Sequence, residues 1–310
     1  MELSMMVVSY LILLVMVLVG VAFVTLMEQK ILAGTQIRLG PNFVGYWGVM
    51  QPFADAVKLL SKETFSTRAM SAAVYYVSPV VSLTLSLVLW SIYLFNEGGI
   101  DFMYSVLFFM CVSGLGVYPI LSSGWSSNCK YSMLGSLRAV AQMVSYEVSM
   151  AVILLSLVWV SGTFSFYGLV EGQYLVWNIF LFMPLCGVWF VSILAETNRT
   201  PYDFAEGESE LVSGFNTEYG SGGFTLIFMA EYASILLMSL LFSVLFMSSV
   251  VSGLVMVKTM MVAFGFVWVR ATLPRYRYDK LMGLAWKSFL PVSLFMFSYY
   301  LSLSEVAPIY

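Results

Sequence analysis

"LSMMVVSYLILLVMVLVGVAFVTLM", residues 3–27, carries no charged side chain. An apolar helix needs about 20 residues to cross a bilayer core some 30 Å thick. The run is long enough to cross, and three more charge-free runs match it: Ala69–Asn96, Phe102–Cys129 and Gly172–Ala195. Four further apolar segments carry a charge or an interruption: 139–160 with Glu147, 221–247 with Glu231, 252–270 with Lys258, and 284–304. The chain as a whole is 60% hydrophobic and 10% charged, against about 25% charged in soluble domains. Alternating barrel-type patterning is absent, so helices must satisfy the backbone in lipid. The expected fold is an all-α integral membrane protein with eight transmembrane helices, in a single polytopic domain over residues 1–310.

The basic residues orient it. With eight spans, the odd-numbered loops hold thirteen of the fourteen: Lys30, Arg38, Lys58, Lys62 and Arg68; Lys130 and Arg138; Arg199; and Arg270, Arg275, Arg277, Lys280 and Lys287. Only Lys258 falls nearer the other side, where its stem can snorkel. The odd loops therefore belong on the positive-inside face, and both termini on the opposite one.

The first loop contains "QPFADAVKLLSKE", residues 51–63. Met50, Phe53, Val57 and Leu60 recur at helical spacing, with Asp55, Lys58 and Lys62 off that face. An amphipathic helix lying in the interface is expected; the same pattern suits a loop helix packed on protein. The absence of histidine and the scattered Cys111, Cys129 and Cys186 argue against haem, iron–sulfur or zinc ligation. No Arg-rich presequence precedes the first apolar run.

Acid is concentrated where lipid-facing sequence should resume. Glu147 lies about 13 Å along its helix from Arg138, and Glu231 about 15 Å from Ser221, which places both near the midplane. An ionised carboxylate there costs on the order of 3 kcal/mol, so both should face the protein interior. Between these spans, Glu196, Asp203, Glu206, Glu208, Glu210 and Glu218 crowd one loop with Arg199. Dense like charge raises some carboxylate pKa values and eases proton transfer. A solvated loop for a basic partner, or buried interhelical hydrogen bonds for Glu147 and Glu231, are the alternatives. Without further information, a proton-coupled secondary transporter competes with a membrane subunit of a redox assembly.

The stretches "IRLGPNFVG" (37–45), "QPFADAVKLLSKE" (51–63), "GSLRAVAQMVSYEVSMA" (135–151), "ETNRTPYDFAEGESELVSGFNTEY" (196–219), "FMAEYASI" (228–235) and "LPRYRYDKLM" (273–282) resemble the family of subunit 1 of respiratory complex I. The related membrane subunit of energy-converting hydrogenases is the alternative within that class. The resemblance implies a multi-pass protein of the mitochondrial inner membrane, with odd loops in the matrix and both termini on the intermembrane-space side. It implies ubiquinone as substrate, no redox cofactor on this chain, and NADH, FMN and iron–sulfur clusters in other subunits. The implied partners are peripheral-arm quinone-module subunits, antiporter-like membrane subunits and lipids; no nucleic acid or metal is implied. By the resemblance, Glu28, Arg38, Asp55, Arg275 and Arg277 line a quinone tunnel. Glu147, Glu196, Asp203, Glu206, Glu208, Glu210, Glu218 and Glu231 form a proton path, and Arg199 pairs within that cluster. Two departures each remove a cation: Gln29 stands where the family commonly has Arg, and Leu39 where it often has Lys.

Overall fold

The computed structural model describes residues 2–64, 70–95, 100, 102–174, 176–205, 207, 212–248 and 253–306. Among these there are helices and no strands. Seven helical segments are long and apolar enough to cross a membrane: Ser4–Thr35, Ala72–Ile92, Ser105–Ser126, Lys130–Ser161, Ser221–Met247, Gly253–Thr272 and Tyr278–Leu303. The molecule is an integral membrane protein by this measure.

The fifth expected span is where the count differs. Residues 172–195 do not form one long helix. A short turn of helix, Asn178–Leu181, is followed after Phe182 by Met183–Glu196. Pro184 explains the restart: it has no N–H to continue the preceding turn, but it suits the first positions of a new helix. Met183–Glu196 alone has 14 residues, fewer than the roughly 20 needed to cross.

Other boundaries move for local reasons. The first helix is Glu2–Thr35, running past its charge-free core to carry Glu28 and Lys30 in its last turns. The fourth expected span begins at Lys130 instead of near Arg138 and ends at Ser161. Gly162 closes it in the left-handed region, its N–H bonded to the Val158 carbonyl at 2.8 Å. Ser105–Leu115 and Val117–Ser126 are one span bent at Gly116. Pro119 has no N–H to offer the Leu115 carbonyl, so the ladder breaks there. The last span runs through Tyr278–Leu284, a π-turn at Ala285–Phe289, and Leu290–Val306.

The 51–61 segment is a helix, Gln51–Ser61. It lies against the first helix and Ser221–Met247, with Phe53, Val57 and Leu60 exposed.

Two helices occupy the centre of the bundle. In their most apolar windows, Ser221–Met247 is 67% buried and Lys130–Ser161 56%, against 17% for the first and last spans. The two central helices carry Glu231 and Glu147. Ser221–Met247 packs against Ala72–Leu89, Gly253–Thr272 and the first helix. Its last carbonyls, which have no intrahelical donor, are taken by side chains from elsewhere. Gln173 Nε2 donates to Val244 O (2.9 Å) and Leu245 O (3.1 Å), and Asn178 Nδ2 to Leu245 O (3.0 Å). Lys258 Nζ donates to Met247 O and sits 4.4 Å from the centre of the Trp177 ring. Lys258 thus caps a helix C-terminus, where positive charge is favoured; its ammonium is held by protein contacts.

Candidate functional site

Glu231 lines a largely apolar cavity of about 120 Å³ with a row of hydroxyls on its wall, large enough for several waters. Helix Ala72–Leu89 contributes Ser78, Ser82 and Ser86 at four-residue spacing, which puts three hydroxyls on one face. Ser113 and Ser123 line it from the bent span, and Ser234 from the helix of Glu231. Glu196 also lines the cavity, 9% exposed, and its Oε2 has no hydrogen-bond partner among the described residues. Glu147 stands within electrostatic reach of Glu196. Its carboxylate rests against the bent span: a Cβ built on Gly114 would fall 2.8 Å from Glu147 Oε1. The structure therefore gathers Glu147, Glu196 and Glu231 around one bend in the bundle.

Behind Glu231, an ion network joins four chain segments. Glu28, 5% exposed on the first helix, is paired with Arg270 and accepts a hydrogen bond from Tyr232 Oη at 2.7 Å. Arg199 Nη1 lies 3.8 Å from Glu28 Oε1, and its Nη2 lies 3.9 Å from Glu231 Oε2. The same guanidinium stands 4.4 Å from the centre of the Tyr232 ring, a cation–π distance. Arg199 thus bridges a buried carboxylate, Glu28, and a half-buried one, Glu231, that sequence separation keeps far apart. Arg199 supplies Glu231 with a basic partner by folding back from the loop.

That loop turns through a cis Thr200–Pro201 bond. Gln142 Nε2 holds it from below, donating to Ala195 O (2.8 Å) and Tyr202 O (2.7 Å). Asp203 is ion-paired with Arg275 at 3.0 Å, and the Tyr276 N–H bonds the Pro201 carbonyl at 3.0 Å. Tyr202 stacks on Tyr276 with ring centres 5.5 Å apart. Burial, with Tyr276 beside it, pushes the Tyr202 phenol up to about 12. Further on, Gly135 lets the Lys130–Ser161 helix touch the loop backbone: a Cβ there would sit 3.0 Å from Gly214 Cα and from Phe215 N.

The remaining expected residues are dispersed. Glu218 offers its backbone carbonyl to Tyr75 Oη at 2.6 Å. Arg38 is exposed and donates to Gln36 Oε1 at 2.9 Å, while Asp55 accepts from Gln51 Nε2 at 2.9 Å. Arg277 is exposed, 3.8 Å from exposed Asp279. Glu206, Glu208 and Glu210 lie outside the described residues.

Sequence reasoning missed Tyr232, Arg270, Gln142 and the serine face. The 78/82/86 spacing was visible as a helical stripe. The role of Arg270 was hidden because it reads as one more orienting charge.

Comparison with known proteins places this arrangement. The family profile described as NADH dehydrogenase matches residues 8–301. NADH-ubiquinone oxidoreductase chain 1 of Aedes aegypti is 56% identical over 292 residues, covering 92% of this chain and 91% of its own. The protein of the same name from Locusta migratoria is 52% identical over 304 residues, covering 98% and 97%. That of Balaenoptera physalus is 46% identical over 295 residues, covering 93% of each. With a Glu28–Arg199–Glu231 bridge joining its helices and this similarity along nearly its whole length, the chain belongs to the NADH dehydrogenase family of NADH-ubiquinone oxidoreductase chain 1 proteins.

Proposed function

We propose that this chain is the subunit of a proton-translocating NADH:ubiquinone reductase that guides ubiquinone to its reduction site and carries the resulting charge change into the membrane. The bridge Glu28–Arg199–Glu231, backed by the serine-lined cavity with Glu196, is the observation that carries the reading. It links a carboxylate beside the loops to one in the bundle interior through a single guanidinium. A change of charge on one side alters the field at the other with little intervening water, where Coulomb terms are large.

In this reading, Glu28, Arg38, Asp55, Arg275 and Arg277 line the quinone tunnel. Glu147, Glu196, Asp203, Glu206, Glu208, Glu210, Glu218 and Glu231 form the proton path. Quinone reduction changes the charge near Asp55 and the 196–218 loop, and protonation then shifts toward Glu231 and Glu147. Arg199, 3.9 Å from Glu231, is the counter-charge that shift would disturb. NADH, FMN and iron–sulfur clusters reside in other subunits, with peripheral-arm and antiporter-like subunits as neighbours. Residues 172–195 cross the membrane as a broken fifth span, bringing the spans to eight, Gln51–Ser61 lies in the interface, and the odd loops face the matrix of mitochondria.

The test is to replace Glu147 or Glu231 with Gln in the intact assembly. Quinone reduction coupled to pumping should fall while NADH oxidation by an artificial acceptor survives. Equal loss of both activities, or loss of neither, would remove the reading.

A further inference from the structure

We propose that the chain holds one acyl chain of a membrane phospholipid in an apolar slot beside its first helix, in the half of the membrane nearer the N-terminus. The slot has a volume of about 390 Å³. Met16, Val17 and Gly20 of the first helix form one wall, Leu236 and Leu240 the floor, and Met260 the other wall. The first helix meets the bundle at Gly20, where an added Cβ would lie 3.6 Å from Leu236 Cδ1. On the N-terminal side of that contact Tyr10 reaches across to Phe95, ring centres 5.2 Å apart, and between the two contacts Ile12 and Met16 are exposed at the mouth.

Length identifies the occupant first. The slot follows the first helix from Ser9 to Gly20, about 16 Å at the helical rise. That is about half of a hydrocarbon core some 30 Å thick, the depth of one leaflet. Width comes second. Spread over about 16 Å, the 390 Å³ gives a mean cross-section on the order of 25 Å². A single hydrocarbon chain fills such a cross-section along its whole length, whereas a helix about 10–12 Å across could seat only its side chains there.

Chemistry comes third. Ser9 Oγ donates to Met6 O at 2.7 Å, Thr259 Oγ1 to Met256 O at 2.7 Å, and Trp90 Nε1 to Ala233 O at 3.3 Å. These three wall donors are engaged within the protein, the Tyr93 phenol is a further polar group on the wall, and the rest of the lining is apolar. Lipid tails are as apolar as Leu, so no hydrophobic force draws a chain in. Retention comes from dispersion contacts that an unfilled slot would forfeit.

The test uses the intact assembly in phosphatidylcholine bilayers containing a small share of phosphatidylcholine with a photoreactive diazirine on one acyl chain. Peptide mapping after irradiation should find label concentrated on the slot residues. A diazirine near the glycerol should mark the Ser9 end, and one near the chain terminus the Gly20 end. Met260→Trp, which narrows the slot, should abolish slot label and leave label on the exposed face of Leu290–Val306 unchanged. Slot label no denser than on that exposed face, no depth order, or label indifferent to Met260→Trp would overturn the proposal. So would preferential labelling of the slot by a quinone with a photoreactive tail. If Met260→Trp does not assemble, the depth order in the unaltered chain decides alone.

Discussion

Tyr232 donates its phenolic hydrogen to Glu28 Oε2 across 2.7 Å, joining a helix interior to the end of the first helix 204 residues away. The bond orients a carboxylate that two arginines also approach. Tyr232→Phe keeps the ring beneath Arg199 and removes only this bond. Hydrogen bonds to charged groups contribute about 1.5–3 kcal/mol. Thermal unfolding of the assembly should show a loss of that order at this subunit, with quinone-linked activity reduced. An unchanged activity and stability would mean that Glu28 is fixed by its arginines alone.

Asp203 and Arg275 pair at 3.0 Å, the carboxylate largely buried and the guanidinium partly exposed. Removing one partner leaves a charge without its counter-ion, which costs more than removing both. Asp203→Asn and Arg275→Met should each destabilise the loop. Their double variant should be less damaged than the sum, by a coupling of about 0.5–3 kcal/mol. Strict additivity in a double-mutant cycle of stabilities would show that the pair is incidental.

Gly135 faces loop backbone at 3.0 Å from where its Cβ would be. Backbone cannot rotate aside as a side-chain end can. Gly135→Ala should cost about 1–3 kcal/mol through overpacking and loosen the segment around Gly214 and Phe215. Limited proteolysis of that segment provides the measure; cleavage no faster than in the unaltered protein would contradict the contact.

Tyr202 should give the loop an alkaline limit. Its phenol is held up to about 12, against an ordinary value of 10.0. Below pH 10 both folded and unfolded chains keep the proton, and the stabilisation is fully present. As pH rises toward 12, the unfolded chain releases the proton more readily than the folded one, so stability falls. Tyr202→Phe should remove that part of the decline in an alkaline unfolding series, and identical curves would refute it.

Much of the fold was legible because lipid imposes a length rule on sequence. Charge-free runs such as Leu3–Met27 fall within observed helices. The break before Met183–Glu196 was harder to read, although Pro184, Asn178 and Gln173 interrupt the run. Composition there is apolar throughout, and a local hydropathy rule gives no weight to one proline. The acidic residues stood out in the sequence by contrast with their surroundings. Their partners did not, because Glu28, Arg199, Glu231 and Arg270 meet only through tertiary packing and share no local spacing. Arg199 was read as a member of the loop cluster; the fold turns it inward to reach both Glu28 and Glu231.

The cap on Ser221–Met247 constrains how Glu231 can move. Gln173, Asn178 and Lys258, drawn from two other segments, tether one end of that helix. The opposite end begins beside Gly220, Gly222 and Gly223. A rod anchored at its tip by three side chains cannot slip along its own axis without parting them, so the far end of the helix fixes the level at which Glu231 is presented.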